Sequence, residues 1–139
     1  MLVATYAAFS ARAGAGNFDE EALREAVHFA HLHHVRVHVT VNTLIKDSEM
    51  DEVKALLRLL NEVRVDAVLV QDWGVLTPAQ AVVPDLPIHA STQMSLHTLG
   101  GANFAAQLGM ERVVLSRELS KGEIAEICRQ CPAEIETFI

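Results

Sequence analysis

Short apolar runs alternate along the chain with stretches of helical periodicity, and run after run gives way at its C-terminal end to side chains able to bind or react. Leu2–Tyr6 predicts a first strand. Asp19 is placed to cap a helix, with Phe18 and Leu23 as a hydrophobic staple and Leu23, Ala26, Val27 and Ala30 at helical spacing. Val35–Val41 is β-branched and nearly continuous, as expected of a parallel strand covered on both faces, and it delivers Asn42 to a loop. Ser48 and Asp51 suggest a cap for the next helix, whose buried stripe is Val53, Leu56, Leu57 and Leu60. Val65–Val70 then ends in Gln71-Asp72, and Thr77-Pro78 predicts a helical segment that Pro84 and Pro87 keep short.

Ile88–Met94 is a strand that turns polar at Ser91-Thr92-Gln93. Leu96–Leu108 predicts a weaker helix, with Gly100 and Gly101 inside it for close packing and Gly109 as its stop. Arg112–Ser116 is the next strand and runs into Arg117-Glu118. Ser120 and Glu123 form a capping box for a helix through Arg129, and Glu134–Phe138 begins a sixth strand.

Strands alternating with helices predict right-handed βαβ units and a parallel sheet, hence an α/β class. Two architectures compete, a doubly wound open sheet and part of a (β/α)₈ barrel. A complete barrel needs about 250 residues, and six strand signals are too few to close one. A partial TIM-like barrel is nevertheless expected, as one domain over residues 1–139, because polar residues recur at strand after strand rather than at one switch point.

Composition narrows the picture. Half of the 139 residues are apolar, enough for a sizeable core, and the net charge of −7 argues against a broad basic face for nucleic acid. Met1–Phe9 lacks the basic flank of a signal peptide, and no run reaches the roughly 18 apolar residues of a membrane helix. A cytoplasmic protein with no membrane partner is expected. Cys128 and Cys131 are the only cysteines; their C-x-x-C could be half a zinc site or a redox pair, but the preferred reading packs Cys128 beside Ile124 and Ile127 and puts Cys131 at the helix end before Pro132. His31, His33 and His34 are too poorly spaced for a metal site, since His33 leaves the face His31 and His34 share. No metal is expected in this chain.

The rim supplies the candidate site: Arg12, Asn42, Gln71, Asp72, Ser91, Gln93, Arg117 and Glu118. Arg12 and Arg117 are expected to bind a carboxylate or phosphate, Asp72 and Glu118 to act as acid or base, and Asn42, Gln71, Ser91 and Gln93 to orient a polar substrate. Structural caps or inter-strand hydrogen bonds stand as equal alternatives for each, and Asp72 reads equally well as an N-cap. The segment after Arg12 has two glycines but Asp19 where a third would complete a dinucleotide fingerprint, so a strand-to-helix turn is preferred. No catalytic triad is visible; strand alternation is expected to turn His89 and Ser91 to opposite faces, leaving His89 structural.

Five stretches, taken in order, carry a resemblance: Phe9-Ser10-Ala11-Arg12-Ala13-Gly14-Ala15-Gly16-Asn17-Phe18, Val39-Thr40-Val41-Asn42-Thr43, Val70-Gln71-Asp72, His89-Ala90-Ser91-Thr92-Gln93 and Val114-Leu115-Ser116-Arg117-Glu118-Leu119-Ser120. Over nearly the whole chain they resemble the collagenase-like peptidase family U32. That resemblance implies a barrel-like catalytic domain and either peptidase activity or prephenate-dependent hydroxylation of tRNA or ribosomal RNA; the family also includes oxygen-independent quinone hydroxylation proteins. Small carboxylate, RNA or peptide substrates are thereby implied for a complete protein. Glu136-x-Phe138 is similar to the start of a family signature that continues into iron-sulfur cysteines, to which Cys128 and Cys131 do not correspond. The expectation is a fragment with pocket residues but no cluster, inactive alone, or else a non-catalytic module that forms a homo-oligomer, or completes its barrel with a partner chain, through open sheet edges.

Overall fold

The computed structural model describes residues 1–6, 8–11 and 18–138. Six strands, β1 (Leu2–Thr5), β2 (Val37–Val41), β3 (Ala67–Val70), β4 (Ile88–Ala90), β5 (Arg112–Val114) and β6 (Glu134–Glu136), lie side by side in sequence order. Every pairing is parallel. Between them run α1 (Glu20–Leu32), α2 (Met50–Val63), α3 (Trp73–Val82), α4 (Leu99–Gln107) and α5 (Lys121–Gln130).

This order decides between the two expected architectures. A doubly wound sheet reverses direction at a switch point, whereas crossovers of one hand between successive neighbours put every helix on the same face. Here no reversal occurs. Val37, Val39, Val41, Val68, Val70, Ile88, Ala90 and Val113 pack with Leu23, Val27, Leu57, Leu60, Val75, Ala79, Ala102 and Ala105 of the helices in one core. The alternate strand residues, among them Thr5, His38, Thr40, Leu69, His89, Arg112, Val114 and Glu134, face the other way. That face is concave, since an Arg112 Nη of β5 lies 3.3 Å from the Met1 sulfur beside β1. The fold is a curved, barrel-like α/β sheet in which β1 and β6 each have one strand neighbour among the described residues.

Local chemistry accounts for the boundaries. Asp19 accepts a hydrogen bond from Ala22 N at 2.9 Å to cap α1, which ends where His34 adopts φ 57 and Val35 N bonds back to Ala30 O. That reversal delays β2 to Val37, later than the apolar run predicts. Ser120 and Glu123 form the expected capping box on α5. The expected Ser48–Asp51 cap does not form: residues 47–49 make a 3₁₀ turn, Glu49 accepts from Lys46 N, and Asp51 pairs with Lys54.

Three further expectations are corrected. The segment after Asp72 is a helix of ten residues with Pro78 inside it, because the Asp72 cap organises its first turn and the proline removes only one internal donor. Leu96 lies outside α4, which starts at Leu99 under the Thr98 hydroxyl after Ser95 turns the chain at φ 56. Of the two glycines there, a methyl on Gly101 would meet Thr98 Oγ1 at 3.2 Å and Leu96 at 3.3 Å, but one on Gly100 would meet nothing within 4 Å. Close packing constrains Gly101 alone. Gly109, at φ 91, ends the helix as expected.

Candidate functional site

The concave face is divided by height along the strands. At their N-terminal ends, residues including Arg36, His38, Asp66, His89, Arg112 and Glu134 line a cavity of about 470 Å³. Arg112 donates to Glu134 Oε2 at 2.5 Å and to Glu136 at 2.9 Å. Burial opposes the Arg112 charge, but both carboxylates hold its pKa above the usual value, and Arg112 in turn keeps the Glu134 carboxyl low. Beside it, His38 and His89 meet edge to face, ring centres 4.8 Å apart. Burial lowers the pKa of both; His38 and Arg112 press further on His89, which falls to about 4. Its Nδ1 is buried without a hydrogen-bond partner.

Asp66 ties this level to the helix layer, accepting from Val37 N at 2.7 Å and meeting His31 Nε2 at 2.9 Å. Burial opposes its ionisation, but these two bonds hold its carboxyl below the usual range. His33 instead lies against the Phe29 ring, 4.6 Å between centres. No group of three or more metal-ligating side chains occurs among the described residues.

Toward the C-terminal ends the lining is mixed, neutral polar groups standing beside the charged Arg117, Glu118 and Glu136. A cavity of about 390 Å³ is lined by Thr5, Ser10, Thr40, Asn42, Ser91 and Gln93 together with Leu69, Val114, Arg117 and Phe138. Ser10 and Thr40 hydroxyls lie 3.1 Å apart, and Asn42 Oδ1 accepts from Ala11 N at 3.0 Å. The Arg117 guanidinium sits 4.7 Å over the Phe138 ring and forms no ion pair among the described residues. A second cavity, about 420 Å³, adjoins this one through Thr92, Gln93 and Arg117 and adds Ser95, His97, Ser116 and Glu118.

Of the residues expected at the site, Asn42, Ser91, Gln93, Arg117 and Glu118 therefore line these adjoining upper cavities. Gln71 and Asp72 do not. Both Asp72 oxygens are engaged by backbone, Gly74 N at 2.7 Å and Ile45 N at 3.0 Å, so the capping reading describes it. Arg12 lies outside the described residues. The expected opposition of His89 and Ser91 is also corrected: two residues apart on a strand, they share the concave face. They still form no nucleophile-base pair: no hydrogen bond joins Ser91 Oγ to His89 among the described residues, and His89 Nδ1 has no partner. Sequence reasoning overlooked Thr5, Thr40 and Phe138, although counting back by two from Asn42 reaches Thr40. It also overlooked His97, whose place depends on a turn with no sequence pattern.

The cysteines do not fit an iron-sulfur cluster. Cys128 is exposed rather than packed beside Ile124 and Ile127, Cys131 caps α5 half-buried against the core, and two thiols are half of the usual four.

A one-way-wound parallel sheet with helices outside and a polar pocket at the strand C-termini defines a barrel-type α/β protein. The chain belongs to peptidase family U32, whose model matches residues 2–139. It is 37% identical over 131 residues to a 23S rRNA 5-hydroxycytidine synthase of Escherichia coli, covering 94% of this chain and 19% of that protein. It is 34% identical over 131 residues to tRNA hydroxylation protein P1 of Bacillus subtilis, covering 94% of this chain and 31% of that one. The chain thus spans under a third of the length of these relatives. The solved structure of the U32 peptidase Mk0906 superposes with a TM-score of 0.79 at 16% identity, over 97% of this chain and 58% of that one, a likeness of fold. No helix among the described residues is long and apolar enough to cross a membrane.

Proposed function

We propose that this chain carries part of the substrate pocket of an RNA-hydroxylating U32 protein, and that its upper cavities receive a nucleotide rather than a peptide to be cut. The observation that carries this reading is that Ser91, which accepts from Gln93 N, has no hydrogen bond to the histidine on the same face. Hydrolysis through an activated serine needs that contact. The neutral hydroxyls and amides instead suit a polar, planar ligand, and Arg117 supplies a cation for a phosphate or carboxylate. Relatives named for tRNA and rRNA hydroxylation support the same choice. Adding oxygen requires redox chemistry that this chain's two cysteines do not supply, so the chain alone is inactive. Labelled protein titrated with cytidine and uridine 5′-monophosphates should show saturable shifts at Asn42, Gln93 and Arg117, and incubation with a gelatin-derived peptide should yield no cleavage. Peptide hydrolysis, or nucleotide contacts away from the upper cavities, would sink the reading.

One observation favours a second reading, an assembly module that covers its sheet edges with another chain. Leu2 and Val3 of edge strand β1 are exposed. Light scattering decides: a stable oligomer or partner complex supports it, and a monomer that captures nothing rejects it.

A further inference from the structure

We infer that His97 is a neutral hydrogen-bond acceptor of the outer upper cavity and that it takes an N–H of the nucleobase edge; this rests on the RNA reading above. His97 Nδ1 lies 2.9 Å from Ser95 O. A carbonyl can only accept, so Nδ1 carries the proton in that bond and Nε2 of the neutral ring is a bare lone pair. The backbone enforces the arrangement: Ser95 adopts φ 56, unusual for a residue with a side chain, after its N–H bonds to Thr92 O at 3.0 Å. Thr98 then caps α4 immediately after His97, accepting from Gly101 N at 3.1 Å. The backbone of His97 is thus held between a tight turn and a capped helix, and its exposed ring is tied back by the bond to Ser95 O.

The cavity that His97 lines offers a complementary set. Gln93 can donate and accept, Glu118 accepts, and Arg117 donates from its position over Phe138. A nucleobase edge presents N–H donors beside carbonyl or ring-nitrogen acceptors in one plane, which this set matches. The guanidinium plane of Arg117 is available for stacking or for a phosphate. At about 420 Å³, joined to the inner cavity, the space is within the range of small-molecule sites. The inference concerns recognition, and no bond is made or broken at His97.

The test uses the full chain with nitrogen-15-labelled histidine, read in long-range proton–nitrogen spectra at pH 8, with His97→Gln assigning the ring. A protonated Nδ1 and bare Nε2 are expected, with cytidine or uridine 5′-monophosphate moving the Nε2 resonance and glycylglycine leaving it in place. His97→Phe should weaken nucleotide binding about tenfold, the loss of one good hydrogen bond, with an unchanged melting temperature. His97→Gln, which keeps an acceptor, should lose less. The opposite tautomer, or nucleotide binding equal in wild type and His97→Phe, overturns the role of His97 while leaving the RNA reading intact. Failure of both nucleotides to bind wild type overturns both.

Discussion

Acidification below neutral pH should destabilise this protein through the buried His89 ring. His89 is 5% exposed, faces His38 and Arg112, and has its pKa lowered from 6.5 to about 4. Between those values the unfolded chain binds a proton that the folded chain refuses, so stability falls as pH falls. The contribution is fully present above pH 6.5, declines through the interval and is gone below about pH 4. At 1.36 kcal/mol per unit it amounts to about 3 kcal/mol, a large part of the 5–15 kcal/mol that typically stabilises a domain. Urea unfolding followed by circular dichroism at several pH values from 7.5 to 4 measures it directly. His89→Phe retains a ring against His38 but cannot titrate, so its stability should vary less steeply over the same interval. His38, also lowered by burial, keeps part of the slope in the variant, so the difference between the two proteins measures the His89 ring together with its coupling to His38. Equal slopes in wild type and His89→Phe, or wild type gaining stability on acidification, would refute this account of the buried pair.

Asp72→Ala should cost about 1–2 kcal/mol in chemical denaturation, because it strips the α3 cap and the bond from Ile45 N, while nucleotide affinity changes little. Gly100→Ala should raise stability by about 0.5–1 kcal/mol, since its side chain enters open space in α4, whereas Gly101→Ala should gain nothing or lose stability against Thr98 and Leu96. Paired thermal melts check both glycines. Arg117→Ala should leave unfolding within about 0.5 kcal/mol of wild type but weaken nucleotide monophosphate more than the corresponding nucleoside, as measured by calorimetry, because the exposed guanidinium is the cation shared by both upper cavities.

The sheet and its winding were legible because buried parallel strands leave continuous β-branched runs and helices leave stripes such as Val53, Leu56, Leu57 and Leu60. The length of α3 was not, since Pro78 reads as a breaker while the tertiary packing of Val75, Leu76 and Ala79 holds the helix together around it. Recurrence of polar residues at strand ends picked out Asn42, Ser91, Gln93, Arg117 and Glu118, which line the upper cavities. It could not tell them from Asp72, because a carboxylate after a strand looks the same whether it faces a pocket or bonds Gly74 N and Ile45 N. His97 was illegible for a related reason: the carbonyl that fixes its tautomer belongs to a left-handed serine, a conformation without a sequence signature at Ser95.

The one-way order of the strands has a consequence for how the chain comes together during synthesis. Each strand pairs with the one emitted just before it, from β1 with β2 through β5 with β6, and none must wait for a distant partner. Loop-closure entropy is therefore spent in small, similar steps, and a growing chain can dock each new strand–helix unit on a surface already formed. Arg112 meets Glu134 and Glu136 only when the sixth strand arrives, so these ionic contacts form over strands already paired.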